Sequence, residues 1–220
     1  MRLIPSLTIF CYCAALAACN SPGPEYHFTA DQLAWQPYQD GQVLRFGNSR
    51  TAAVRTYRVT QVYDVLVQQS GGWGLKPFPH QEPPSFQTIT VLLQRTDSLG
   101  SEFEAFGLRF DFDHPSIVPG NELLVEAYLN WDTLLNTSAA AILPVDELNQ
   151  GLPLDTTRYH GIRLLPTRTL GPATYAPVVQ YILRGRPYPG NTNSITELYV
   201  TKVNGVVGFV QRNTLWYRIP

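Results

Sequence analysis

Apolar and polar residues alternate with a period of two over much of this chain, the signature of strands with one buried face. The cleanest case sets Phe106, Leu108, Phe110 and Phe112 against Gly107, Arg109, Asp111 and Asp113. The longest covers residues 54–69, where Tyr57, Val59, Tyr63, Val65 and Val67 share one face and Arg58, Thr60 and Asp64 the other. Shorter runs predict strands over 43–46, 86–95, 123–131, 162–165 and 175–183. Near the end, 196–203 and 206–211 flank Asn204-Gly205. Asn-Gly suits a two-residue hairpin turn because both central residues need positive φ. A last strand follows over 214–219.

Helical signals are few. Asp31-Gln32-Leu33 begins a single turn that Pro37 ends. Asp132 is placed to cap a short helix through residues 139–143, and Asp146 to open another turn. Residues 71–84 hold too much Gly and Pro for regular structure and predict a long loop between strands. Together these elements predict an all-β, mostly antiparallel fold, either an open half-barrel or a two-sheet sandwich, with one or two short helices. No repeat or linker interrupts residues 31–220, which are read as a single β-rich domain.

Composition narrows the setting. Aromatic content of 12%, with 18 prolines, 16 glycines and one methionine, suits a β-rich extracytoplasmic protein better than a helical one. The net charge is −1 and only 15% of residues are charged. The chain therefore has no basic stripe for nucleic acid and no polybasic patch for anionic lipid. Arg2, an apolar run to Ala18 and small residues before Cys19 form a secretory signal peptide. With Pro5, Ser6 and Thr8 inside it, the run falls short of the ~20 apolar residues that span a bilayer. The three cysteines are Cys11, Cys13 and Cys19, so removing the leader leaves one. That excludes disulfides, thiolate-held metals and thiol catalysis, and leaves stability to the core.

Leu16-Ala17-Ala18-Cys19 resembles the lipobox of bacterial lipoproteins. The resemblance implies cleavage after residue 18, diacylglycerol and acyl chains such as palmitate on Cys19, and a flexible tether over 19–30. Asn20 stands where an inner-membrane retention signal has Asp, and Ser21 to Glu25 is poor in acid, which implies the periplasmic face of the outer membrane. Three further stretches, Tyr38 to Phe46, Thr174 to Gln180 and Glu197 to Phe209 with Leu215-Trp216, resemble the secreted lipoproteins of Bacteroidota. This implies a β-rich architecture and carries over no catalytic residue. Asp97-Ser98-Leu99, Asp132-Thr133-Leu134 and Asp155-Thr156-Thr157 resemble the O-glycosylation sites of that phylum, at Ser98, Thr133 and Thr156; such pairs also mark ordinary turns.

Candidate chemistry is sparse. His27, His80, His114 and His160 are scattered without a two-His spacing. Asp111 and Asp113 share a strand face beside His114, but two carboxylates are too few for a hard cation. Gly-x-Ser-x-Gly is absent, and no spacing unites a carboxylate pair from Glu102, Glu104, Asp111, Glu122 and Glu126. The expectation is a protein without catalytic residues, cofactor or metal. Aromatic side chains are the better lead: Trp73, Phe78 and Phe86 border the Gly/Pro loop, with Tyr128 and Trp131 further on. Such rings bind sugars and apolar ligands by stacking, or plug the end of a sheet. The reading is a non-catalytic lipoprotein with a protein, glycan or lipid partner in the envelope and none among nucleic acids. A structural component without a ligand pocket is the alternative, and a hydrolase a third.

Overall fold

The computed structural model describes residues 23–68, 83–97, 108–113, 126–131, 139–151, 154, 161–182 and 195–220. Two compact units divide the chain: Met1–His27 with Val65–Gln87, and Phe28–Asp64 with Thr88–Pro220. The fold is all-β and mostly antiparallel, with two short helices among the described residues.

In the first unit, β1 (Glu25–Tyr26) pairs in parallel with the start of β4 (Ser85–Arg95), placing Glu25 opposite Ser85 and Tyr26 opposite Phe86. The Ser85 N–H donates to the Pro24 carbonyl at 2.9 Å. The rings of Tyr26 and Phe86 stack with centroids 5.1 Å apart. Regular structure thus begins inside the stretch expected to be tether. The end of β3 (Val54–Gln68) also lies in this unit, with Val65, Leu66 and Val67 exposed by 48%, 43% and 49%.

The remaining strands of the main sheet are β2 (Val43–Asn48), β5 (Leu108–Asp113), β6 (Glu126–Trp131), β7 (Ala139–Pro144), β8 (Ile162–Leu165), β11 (Val178–Ile182), β12 (Ile195–Thr201), β13 (Gly205–Gln211) and β14 (Thr214–Ile219). They hydrogen-bond in the order β7-β6-β5-β4-β3-β2-β14-β13-β12-β11-β8. No ladder joins β7 to β8 among the described residues, so the path is open. Leu143 and Ile162, from the two ends, nevertheless share one buried cluster with Leu44, Phe46, Tyr57, Val91, Leu198 and Phe209. The sheet therefore bends around a single inner core. Within it, Phe209 packs against Phe46 and Trp216 (5.3 and 6.2 Å), and the Arg55 guanidinium lies 4.0 Å over Trp216.

Part of the outer face of the strands after residue 161 is apolar too. Val178, Tyr199 and Val207 form a second cluster with Leu170. Leu170 comes from a separate hairpin of β9 (Arg168–Leu170) and β10 (Ala173–Tyr175). Gly171, at φ +60, precedes Pro172, whose ring fixes a negative φ, and this makes a type II′ turn. A Cβ on Gly171 would sit 2.3 Å from Tyr217 Cδ2, so the hairpin tip rests directly on that ring.

Two short helices pack against each other in the second unit. Thr29 and Gln32 form a capping box that starts α1 (Ala30–Leu33), and α2 (Val145–Gln150) ends at Gly151 with φ +65. Gln32 Nε2 donates to Asp146 at 2.7 Å, and Trp35 Nε1 to Asn149 at 2.9 Å. Lys202 Nζ bridges Asp31 (2.7 Å) and Asn149 (2.9 Å).

Three local expectations need correction. Residues 139–143 are not helical: they lie in β7 and pair with β6, Ala141 opposite Leu129, so sheet pairing overrides the helix preference of three alanines. Asn204-Gly205 is not a two-residue turn. Thr201 faces Gly205 across a three-residue loop, and Gly205 alone takes positive φ, with a bulge following at Val207. The two-residue turn with both φ positive is Arg212-Asn213, between β13 and β14. Finally, Tyr57 and Val59 are buried as the alternation requires, but Tyr63, Val65 and Val67 on the same face are exposed.

Tyr38 locks the corrected loop in place. Its buried hydroxyl accepts the Val206 N–H at 2.8 Å and leaves no room for a Cβ on Gly205. Burial pushes this phenol up to about 12, against the opposing pull of the Val206 bond and Arg218. Tyr38→Phe leaves a buried N–H unpaired and should cost about 1–3 kcal/mol in urea denaturation. Because the folded value is the higher one, this stability is whole below pH 10 and falls away as pH rises toward 12. The alkaline loss, followed by circular dichroism, should be shallower in the variant.

Asp97 sets the acid limb. Burial pushes its carboxyl up, but the hydrogen bonds and charge of Arg95 (2.6 Å from Nε) and the Thr56 N–H outweigh that and hold it below the ordinary range. Its stability is therefore present above about pH 4 and lost as pH falls through the lowered value. Asp97→Asn should be less stable at pH 7 and lose stability less steeply on acidification.

Candidate functional site

Cross-strand register assembles the outer face in a row. Arg163 stands opposite Gln180, Gln180 opposite Tyr199, Tyr199 opposite Gly208, Gly208 opposite Tyr217 and Tyr217 opposite Gly47. The two glycines are spaces for neighbours. A Cβ on Gly47 would meet the Tyr217 ring at 3.2 Å, and one on Gly208 would meet Leu170 at 3.2 Å. The rings and the β9–β10 hairpin can therefore lie flat on the sheet.

At the β11–β12 end of this row, four polar side chains converge. Glu197 lies two residues before Tyr199 and so on the same face. The Tyr199 hydroxyl donates to Glu197 Oε2, and Gln180 Nε2 donates to the same oxygen at 3.0 Å. Arg168, at the start of the hairpin, places Nη2 3.5 Å from the Tyr199 hydroxyl and its guanidinium 5.5 Å from the ring centre. Tyr199 is 1% exposed, Gln180 and Glu197 are half-buried, and Arg168 is exposed. No hydrogen bond from a described residue reaches Glu197 Oε1 or the Gln180 side-chain oxygen.

Burial pushes the Tyr199 phenol above its ordinary value. The hydrogen bond and charge of Glu197 push the same way, and Arg168 pulls back. The phenol therefore stays protonated at neutral pH and acts as a donor. A nucleophile would need the opposite shift. With one carboxylate, one amide and one guanidinium facing outward, the cluster is equipped to hold hydroxyl and carbonyl groups. No group of three metal-binding side chains occurs among the described residues.

Most residues singled out from sequence are not in this cluster. Cys19, Trp73, Phe78, Ser98, Thr133 and Thr156 lie outside the described residues, as do His80, His114, His160, Glu102, Glu104 and Glu122. Phe86 stacks on Tyr26. Trp131 ends β6 opposite Leu108 and Ala139, and Tyr128 pairs with Asp111 and Ile142. Asp113 pairs with Glu126 in the same ladder. His27 stands 3.5 Å from Glu25 at an exposed edge. The Glu197-x-Tyr199 spacing was visible in the sequence, but only strand register brings Gln180 and Arg168 to it.

No family model, curated protein or solved structure matches this chain.

Tyr199→Phe tests the donor role. The variant should fold and lose about 1.5–3 kcal/mol, the range for a hydrogen bond to a charged group, in chemical denaturation. It should also shed part of the stability that wild type loses above pH 10.

Proposed function

We propose that this protein is a non-catalytic lipoprotein, held to the periplasmic face of the outer membrane through Cys19, that binds a hydroxyl-rich ligand of the envelope such as a glycan. The observation that carries the reading is the cluster of Arg168, Gln180, Glu197 and Tyr199 on the outer face. Its outward acceptors and donors match the mixed hydrogen bonding of vicinal hydroxyls, and the sheet beneath fixes their spacing. The raised phenol favours recognition over hydrolysis. The anchor is supported by the leader and Leu16-Ala17-Ala18-Cys19. No helix among the described residues is long and apolar enough to cross a membrane.

Titration of the purified protein with envelope oligosaccharides, read by isothermal calorimetry, tests the binding half. Glu197→Gln and Arg168→Ala should each weaken binding at least about tenfold, the loss of one good polar contact. Absence of saccharide binding, or affinity unchanged in both variants, returns the protein to a structural role. Cys19→Ser should move the protein out of the membrane fraction, and retention there would sink the anchor.

A further inference from the structure

Val65, Leu66 and Val67 are large apolar residues of the first unit that stand open to solvent. All three are more than two-fifths exposed. Successive strand residues face opposite ways, so Val65 and Val67 present one apolar side and Leu66 the other. A protein partner laid on one face of the strand would cover one side and leave the other in water. A lipid surface entered by the strand covers both.

An acylated Cys19 would hold the first unit close to a bilayer. Pro24 is fixed by the Ser85 N–H and lies five residue steps after Cys19. Fully extended, that length spans at most about 18 Å. Cys19, Pro24 and Val65–Val67 all belong to the first unit. No Lys or Arg occurs between Arg58 and Lys76, so attraction to anionic headgroups contributes nothing here.

We infer that Val65, Leu66 and Val67 are a membrane-seating edge, inserted among the lipid headgroups and upper acyl chains beside the anchor. The inference rests on lipidation of Cys19. The acyl chains hold the protein to the bilayer, and the apolar strand fixes the orientation of the first unit against it. Depth is shallow, at the boundary where interfacial segments settle.

The test uses the full chain, processed and acylated in cells, carrying Leu66→Cys with a nitroxide label. With the leader removed and Cys19 acylated, this is the one free thiol. After reconstitution into phosphatidylethanolamine/phosphatidylglycerol vesicles, the label should be severalfold less accessible to a water-soluble nickel relaxant than free label in buffer. It should be more accessible to oxygen, and the values should match in neutral phosphatidylcholine vesicles. Val67→Cys gives the same readout from the other face and serves if Leu66→Cys does not fold.

Nickel accessibility equal to free label overturns the inference. So does exclusion of both relaxants, which means cover by protein, or spin–spin broadening that unlabelled protein dilutes away, which means a second copy. The mass of mature Cys19 separates the two readings: an acylated Cys19 with a label in water ends the seating edge alone, and an unacylated Cys19 ends both.

Discussion

Burial of β13 on both faces is the constraint from which the second unit follows. Val206 and Phe209 point into the inner core, while Val207 joins the outer cluster. A half-buried antiparallel strand would leave its outer side to water. Here that side must be covered, and the chain spends a separate hairpin on it. The bulge after Val206 sets both Val207 and Gly208 toward that cover. Gly208 and Gly47 then flatten the surface so that Tyr199, Tyr217 and Leu170 can lie on it. The polar cluster forms where the apolar layer gives way on β11 and β12, at the half-buried Gln180 and Glu197.

The loop between β12 and β13 joins this layer to the helices. Tyr38 holds its base from within, while Lys202 reaches from its tip to Asp31 and Asn149. The buried phenol and the partly exposed ammonium differ in weight. The first satisfies a backbone donor shielded from water, and its loss leaves an unpaired group. The second works in partial solvent, where an ion pair contributes little. The position of the hairpin therefore depends chiefly on Tyr38.

Strands with one buried face were legible in the sequence, since alternation is what half-burial produces. β2, β3, β4, β8 and β14 lie close to where that pattern puts them. Legibility failed where the pattern had another cause. β9 and β10 have three residues each, too few to show a period, and are held by contacts made from outside. The alanines of β7 read as helix because nothing local reveals β6 beside them. Asn-Gly is a strong turn signal, yet the bulge and Tyr38 decide the loop, and Arg212 takes a left-handed φ that its residue type disfavours. The outer-face cluster was little legible: alternation puts Glu197 and Tyr199 on one strand face, but Arg168 and Gln180 join them only through pairing.

The place of β14 has a consequence for how the chain matures. It follows every other strand in the sequence, yet it sits between β2 and β13 in the middle of the sheet. Until residues 214–219 emerge, the strands made earlier form two half-sheets, each ending in bare backbone donors and acceptors. Completion must wait for the final stretch, so the sheet stays open while the chain is being made, and chaperones that guard unpaired edges have their longest task in that interval.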